Sequence, residues 1–274
     1  MAFSARDDGG ADHRFEAGNG WVQRCRLLDV DAATTACISG VVEGPGGLLV
    51  PHANVLAHRD IVNELGLIGE WLDARGWTHR RLWREDDADS SGNDFPEADA
   101  LIVLGSLDSV ATGHCAVWAP DEMDRIRRWI HEDRPYLGVC FGAQILATTL
   151  GGEVQRRSTF YRAVETVPWT GGSSRGPWVL WHEDAIISPG SAEVVSELPH
   201  AVIALRSGNA WGVQAHIELD APALERLAQA VDAPEETSRP LIDLLRENAS
   251  EVTAATFDFL DLALSSPSTR AHAS

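Results

Sequence analysis

Apolar and polar residues alternate along the chain in two distinct patterns from about position 47 onward. Continuous apolar runs, which are typical of strands buried on both faces, occur in GLLVPHA (47–53), ADALIVLGS (98–106) and YLGVC (136–140). The segment 78–83 predicts a further short strand, because it lies between Gly76 and an acidic loop.

Between these runs, apolar residues recur at helical spacing. The segment 59–75 carries such a stripe and ends at Gly76, a residue type that favours helix C-termini. A second helix, before Pro135, has an apolar face formed by Met123, Ile126, Trp129 and Ile130. A third begins directly after Cys140. Strands that alternate with helices predict an α/β fold with a mostly parallel, doubly wound sheet and helices on both faces.

The length and composition predict one folded domain with extensions at both ends. The chain has 274 residues, of which 44% are hydrophobic, enough for one substantial core. We expect an N-terminal extension of unknown role at 1–46, the domain at 47–264 and a flexible tail at 265–274. The segment 239–264 predicts an amphipathic helix that covers the core, and a docking face for a synthase subunit is the alternative.

The charged residues exclude several classes of function. The formal net charge is −19, which would repel nucleic acids and anionic membranes. The chain contains no lysine, so it has no Walker-type lysine, no Schiff-base lysine and no lysine general base. The N-terminus lacks an apolar leader and no stretch is long enough to span a membrane, so we expect a cytoplasmic protein.

The cysteines and histidines do not predict a metal site or a cofactor. Cysteines stand at positions 25, 37, 115 and 140 without a C-x-x-C pair, so neither a thiolate zinc site nor a dithiol redox motif is indicated. The segment His182-Glu183-Asp184 is polar, but it does not have a known metal-ligand spacing.

Cys140 has the sequence environment of a nucleophile. It lies in G-x-C-x-G, with Gly138 and Gly142 two residues away on each side, at a junction between a strand and a helix. In a nucleophile elbow the glycines leave room for the strained turn, and the helix start favours a thiolate. The N–H of Phe141 can then stabilise an oxyanion. The alternative is that Cys140 is a small buried residue in tight strand–helix packing.

His216 and Glu218 are the candidate base and its orienting carboxylate. They stand two residues apart in WGVQAHIELD (211–220), so in an extended chain both side chains lie on one face. A Cys–His–Glu arrangement would let His216 accept the thiol proton and return it to a leaving amine.

These segments resemble a known family. GVCFGAQ (138–144) and GVQAHIE (212–218) are similar to the signatures G-x-C-x-G-x-Q and G-V-Q-F-H-P-E of class I glutamine amidotransferases. The resemblance is strongest to stand-alone members similar to the amidotransferase half of GMP synthase. It covers about 47–264 and includes VLGSLDS (103–109) and WHED (181–184).

The resemblance implies a flavodoxin-like fold and a specific reaction. Cys140 would attack the side-chain amide of glutamine, form a glutamyl thioester and release ammonia. The N–H groups of Phe141 and Ser106 would form the oxyanion hole. Gln144 would hold the substrate, with Gly105 and His182 bordering the same site.

Three positions depart from the family pattern. Ser106 replaces a glycine, which matters if that loop needs a positive φ or a close approach of the backbone to the substrate. Ala215 replaces the usual phenylalanine, and Ile217 replaces the proline between His216 and Glu218. These changes indicate a different substrate pocket, or a site that depends on a partner.

We therefore expect a glutaminase subunit that delivers ammonia to a separate synthase, because the sequence shows no ATP-binding or acceptor-binding module. One alternative is a free-standing hydrolase of larger γ-glutamyl amides, and another is a catalytically silent glutamine-binding subunit. The segment 105–109 also faintly resembles the pyrophosphate loop of ATP pyrophosphatases, but it lacks their glycine pair.

Overall fold

The protein is described by a computed structural model over residues 50–59, 64–86 and 94–264. The predicted extension at 1–46 and the predicted tail at 265–274 lie outside the described residues. Among the helices that the structure describes, none is both long and apolar enough to cross a membrane.

Within the described ranges, a central sheet of seven strands has the order β2-β1-β3-β4-β9-β8-β7. Its strands are β1 (His52–Ala57), β2 (Thr78–Trp83), β3 (Ala100–Val103), β4 (Tyr136–Val139), β7 (Glu193–Leu198), β8 (Ala201–Ser207) and β9 (Ala210–Val213). The five strands from β2 to β9 pair in parallel, and β8 and β7 extend the sheet antiparallel. The order of the first four is that of flavodoxin-like sheets, so the predicted fold class is confirmed.

Helices cover both faces of this sheet. They are α1 (Gly66–Ala74), α2 (Ala119–His131), α3 (Phe141–Thr149), α4 (Ala221–Ala230), α5 (Glu235–Glu247) and α6 (Ala249–Leu264). One core contains alternate residues of β1 together with side chains of α1 and α6. A second core contains Leu56, which points to the other face, together with side chains of α2 and α3. The continuous apolar runs in the sequence reflect this burial on both faces.

A long antiparallel hairpin forms a separate two-stranded sheet that the sequence did not predict. It consists of β5 (Glu153–Trp169) and β6 (Ser173–Ser188). Val179 of β6 also pairs with His216 through an isolated bridge, so the hairpin reaches the residues that follow β9. The hairpin therefore brings its own side chains next to the predicted site.

Several predicted element boundaries are wrong. The first strand runs from His52 to Ala57, so Val50 and Pro51 precede it and it continues past the predicted end at 53. Residues 53–57 are its buried part. The first helix begins at Gly66, where φ is +43° and a Cβ would lie 2.0 Å from the Glu218 carbonyl oxygen. The helix start is therefore fixed by contact with the backbone of Glu218, which a local pattern cannot show.

The segment 239–264 contains parts of two helices and is not one continuous helix. The break is at Asn248, whose backbone leaves the helical conformation and whose side chain donates a hydrogen bond to the Leu244 carbonyl. Helix α6 packs its buried side chains into the core beside α1, so the predicted covering role is correct for that part.

Candidate active site

Cys140 occupies a strained turn between β4 and α3. Its φ is +52° and its ψ is −105°, a conformation that non-glycine residues rarely adopt. The turn is fixed on both sides: the Cys140 N–H donates to the Val213 carbonyl at 2.8 Å, and its carbonyl accepts from Ala143 N at 3.0 Å. The cysteine is free, buried and part of a cavity wall. The backbone geometry is therefore that of the predicted elbow.

The two glycines of G-x-C-x-G permit close backbone packing around this turn. A Cβ on Gly138 would lie 2.3 Å from the Gly142 carbonyl oxygen, and a Cβ on Gly142 would lie 2.1 Å from the Val103 carbonyl oxygen. Both distances are shorter than real Cβ contacts allow. The glycines are thus required by the contact of α3 with β3 and β4 as well as by the elbow itself.

His216 and Glu218 are in direct contact, as the spacing predicted, but the backbone between them is not extended. Strand β9 ends at Val213, and residues 214–218 form a bend and a turn. His216 Nδ1 lies 2.6 Å from Glu218 Oε1, and the His216 N–H donates to the Val179 carbonyl at 2.7 Å. The contact between His216 and Glu218 was therefore predicted for the wrong reason. It results from the turn and from the bridge to β6, and not from a shared face of a strand.

The electrostatic environment favours a protonated His216. Burial opposes the charge, but attraction to Glu218 and Cys140 and hydrogen bonds to both outweigh it, so the pKa of His216 lies well above its ordinary value. A histidine that holds a proton between a sulfur and a carboxylate is suited to protonate a leaving amine.

The predicted oxyanion donors lie at the ends of β3 and β4. Phe141 is the first residue of α3, where backbone N–H groups have no acceptor within the helix. Ser106 has a negative φ, and its Oγ accepts a hydrogen bond from Asp108 N at 3.0 Å. The loop therefore does not require a glycine conformation at position 106, which removes one reason for expecting a blocked oxyanion hole.

Gln144 is buried in a network of amides behind the sulfur. Its Nε2 donates to the Asp184 carbonyl at 3.2 Å and to Gln214 Oε1 at 3.3 Å. Gln214 Nε2 in turn lies 3.6 Å from Cys140 Sγ. Sequence reasoning assigned no role to Gln214, although it lies within the G-V-Q-x-H-x-E signature.

His182 is a buried, neutral hydrogen-bond acceptor in the cavity wall. Its Nδ1 lies 2.9 Å from the Asp184 carbonyl oxygen, so Nδ1 donates its proton there and Nε2 carries the lone pair. Nε2 has no partner among the described residues. Burial, together with the charges of His200, His216 and Arg157, outweighs this hydrogen bond and lowers the pKa of His182 to about 4.

This low pKa predicts a loss of stability in acid that depends on His182. A histidine whose pKa is lower in the folded than in the unfolded state destabilises the fold as the pH falls below about 6.5, its ordinary value. We expect wild type to lose on the order of 2–3 kcal/mol from this group between pH 6.5 and pH 4. Urea denaturation across this pH range should show that the free energy of unfolding depends less on pH in His182→Gln than in wild type. An equal pH dependence in the two proteins would contradict the prediction.

The cavity has a volume of about 350 Å³. Of the predicted site residues, it is lined by Ser106, Cys140, Gln144, His182 and His216. The other three contact these: Phe141 follows Cys140, Glu218 bonds to His216, and Gly105 lies against His216. Among the residues that the structure describes, no group of three or more His, Cys, Asp or Glu side chains could hold a metal ion.

Gly105 leaves little space beside His216, the predicted base, which gives a second prediction. A Cβ at this position would lie 3.3 Å from His216 Cε1 and 3.8 Å from Cys140 Cβ. Gly105→Ala should displace the His216 imidazole by a few tenths of an ångström. For glutamine hydrolysis, the reaction expected from the sequence, this should lower kcat about tenfold, less than the roughly 100-fold that a 1 Å displacement costs. Steady-state kinetics tests this, with unchanged thermal unfolding as the control, and wild-type kcat would refute it.

The fold and this site define a class of protein: a flavodoxin-like α/β protein with a cysteine at an elbow next to a histidine and a glutamate. Residues 78–221 match the family of class-I glutamine amidotransferases. The chain belongs to the class-I glutamine amidotransferase family, and it is similar to the amidotransferase domain of GMP synthases.

Two glutamine-hydrolysing GMP synthases illustrate the similarity. The chain is 28% identical to that of Aeropyrum pernix over 192 residues, which is 65% of this chain and 34% of the relative. It is 36% identical to that of Thermus thermophilus over 131 residues, which is 44% of this chain and 24% of the relative. The chain thus matches about a third or less of the length of these curated relatives.

The solved structures support the fold. A crystal structure of a glutamine amidotransferase from Thermotoga maritima superimposes with a TM-score of 0.68 at 20% identity. The match covers 79% of this chain and 99% of that chain. The likeness therefore extends through most of the described domain, including regions outside the two sequence signatures.

Proposed function

We propose that this chain is a glutaminase subunit in which Cys140, His216 and Glu218 hydrolyse the side-chain amide of glutamine. The observation that carries the proposal is the conformation of Cys140, a non-glycine residue at φ +52° whose side chain lies in a cavity wall with His216. A strained turn of this kind persists only when the surrounding structure holds it, and it is common at functional sites.

The reaction proceeds through a covalent intermediate. Cys140 Sγ attacks the amide carbon of glutamine, and His216 holds the thiol proton during the attack. The oxygen of the tetrahedral intermediate accepts hydrogen bonds from the N–H groups of Phe141 and Ser106. His216 then protonates the nitrogen as the carbon–nitrogen bond breaks, which releases ammonia and leaves a glutamyl thioester. Water, deprotonated by His216, hydrolyses the thioester to glutamate and restores the thiol.

Glu218 acts through His216. Its Oε1 accepts the Nδ1–H of the imidazole at 2.6 Å, which fixes the ring so that Nε2 is the atom that exchanges protons with sulfur and substrate. The start of α1 packs against the Glu218 backbone, with Leu67 N donating to the Glu218 carbonyl at 3.0 Å. The fold therefore fixes the backbone of Glu218, while His216 binds its carboxylate.

We also propose that the ammonia is used by a separate synthase, and that residues 47–264 form the catalytic unit. The two relatives described above are named as synthases, and the match covers about a third or less of their length. A synthase component outside this chain would then supply the acceptor and the energy for its amination. Such a partner should raise the glutaminase rate when it is present.

The decisive experiment combines turnover with labelling. Wild type should release ammonia from glutamine and should form an adduct with a diazoketone analogue of glutamine at Cys140, located by peptide mass spectrometry. Cys140→Ser should lose both. Cys115→Ser is the matched control, because Cys115 is also free and buried but does not line the cavity, and it should keep both. Turnover that survives in Cys140→Ser would refute the proposal.

One observation favours hydrolysis of larger γ-glutamyl amides as a second candidate function. The cavity extends from the triad to side chains of the β5–β6 hairpin and to residues 231–234 between α4 and α5. Its volume of about 350 Å³ lies within the range of pockets that hold ligands larger than a single amino acid. Faster turnover of a γ-glutamyl amide than of glutamine would support this candidate.

A further inference from the structure

Arg162, on β5, lines the same cavity as Cys140 and His216 but has no part in the chemistry described above. Its guanidinium carbon lies 4.1 Å from the ring centre of Phe160 and 4.9 Å from that of Trp181. Both rings also line the cavity. Stacking of this kind fixes the plane of a guanidinium and leaves the N–H groups at its edge available for hydrogen bonds.

Arg162 lacks the carboxylate partner that Arg156, the other arginine lining the cavity, has. Among the described residues, no acidic oxygen lies within ion-pair distance of it, and its buried Nε has no hydrogen-bond partner. Arg156, which lines the same cavity, bonds to Glu183 and lies 3.6 Å from Asp184 Oδ1.

Partial burial disfavours the charge of Arg162, which has no ion-pair partner among the described residues. Desolvation lowers the pKa of Arg162, and attraction to the more distant Glu183 only partly offsets it. A ligand anion at the free edge would complete the pair and provide a charge-assisted hydrogen bond, which a planar guanidinium makes best with a carboxylate or phosphate. The cavity also contains Asp108, Glu183, Asp184 and Asp232, so a group with one negative charge fits better than a phosphate with two.

We propose that Arg162 binds a carboxylate group of the substrate. The inference rests on the proposed function, because the substrates of that reaction are γ-glutamyl compounds and each carries at least one carboxylate. Two sources share this chemistry: the α-carboxylate of the γ-glutamyl unit, and a carboxylate on the amine side of a larger amide. In both cases Arg162 determines which substrates bind and takes no part in proton transfer.

Four ligands separate the two sources. L-Glutamine and L-glutamine α-amide differ only in the α-carboxylate, and γ-glutamylglycine and γ-glutamylglycinamide differ only in the carboxylate on the amine side. Each is titrated calorimetrically into the full chain carrying Cys140→Ser, and each is assayed for turnover with Cys140 intact. Binding is thereby measured separately from catalysis, so a failure of the proposed function does not obscure the role of Arg162.

Arg162→Gln is compared with Arg175→Gln, which is the matched control. Arg175 also lies on the hairpin, has a buried Nε without a partner and stacks on an aromatic ring, that of Trp169 at 5.1 Å, but it does not line the cavity. A substitution at position 175 therefore reports the effect of losing a stacked arginine from the hairpin without touching the site.

If Arg162 binds the α-carboxylate, Arg162→Gln should weaken glutamine binding and raise its KM about 10- to 100-fold, with little effect on the α-amide. If it binds the amine-side carboxylate, the same loss should occur for γ-glutamylglycine alone. Arg162→Lys should recover part of either loss, because it restores the charge but not the planar fork. Arg175→Gln should match wild type throughout.

Equal affinities of wild type and Arg162→Gln for all four ligands would overturn the proposal, and so would equal losses in both members of each pair. The proposal would also be overturned if none of the four ligands bound to the protein. Binding that depends on Arg162 without any turnover would support this proposal while refuting the proposed function.

Discussion

His216→Ala is expected to lower kcat for glutamine hydrolysis about 1,000-fold while changing KM much less. In the proposed mechanism, His216 exchanges the proton that must leave the Cys140 thiol and reach the departing ammonia, and a positioned acid–base group typically contributes about 100- to 10,000-fold. It makes little contribution to holding the substrate, so the ground-state complex should persist. Measuring ammonia release at saturating glutamine gives kcat directly, and a variant that keeps a tenth of the wild-type rate would exclude His216 as the base.

Glu218→Gln tests how the charge of Glu218 affects the proton on His216. The charge of Glu218 contributes to raising the pKa of His216, and glutamine can keep the hydrogen bond but not the charge. The imidazolium of the variant should therefore lose its proton at a lower pH than that of wild type. The alkaline limb of the pH profile of kcat/KM should move to lower pH, whereas a profile that falls uniformly without shifting would indicate only a structural role.

The central strands β3 and β4 were predictable because they are buried on both faces. Such strands appear in the sequence as continuous apolar runs, and residues 100–103 and 136–139 lie within runs predicted to be strands. Residues 78–83 are exposed or half-buried, and that strand was predicted from its position between Gly76 and an acidic loop. The alternation of strands with helices predicted that the strands run parallel, and the flavodoxin-like arrangement was implied by the resemblance to the family. The start of the first helix was misplaced, because it depends on contact with Glu218, which is 152 positions from Gly66.

The hairpin and the antiparallel edge were not predicted. Along β5 most residues are exposed or only half-buried, so the strand has no continuous apolar run, and its register with β6 shifts at three places. Irregular pairing of this kind blurs the alternation that marks a strand in a sequence. As a result, Arg162 and Phe160 could not be placed near the cavity before the structure was known.

Contacts between side chains of the site were predictable only where the two residues are close together in the sequence. His216 and Glu218 are two residues apart, and their contact follows from almost any tight local conformation. By contrast, Gln214 approaches Cys140 and Gln144 reaches the Asp184 carbonyl across more than 35 positions. These contacts depend on how β9, α3 and β6 converge, and the sequence gives no local signal for them.

The buried ion pair next to the elbow was also missed, and it gives the largest expected effect on stability. Arg84 donates two hydrogen bonds to Glu122, at 2.8 and 2.9 Å, and both side chains are almost fully buried. The Arg84 guanidinium carbon also lies 5.2 Å from the ring centres of both Trp118 and Phe141. The pair therefore fixes the ring of the residue that follows Cys140.

Glu122→Leu is expected to lower the free energy of unfolding by about 3–5 kcal/mol, because it leaves the Arg84 charge buried without a partner. Burial opposes that charge, and at present the attraction and hydrogen bonds of Glu122 outweigh this and raise the pKa of Arg84. Adding Arg84→Met removes the unpaired charge, so the double variant should regain most of the loss or exceed wild type, as apolar replacements of buried pairs often do. Chemical denaturation at pH 7 measures all three proteins, and a double variant no more stable than Glu122→Leu would show that the contacts of Arg84 with the rings of Trp118 and Phe141, and not its charge balance, maintain this region.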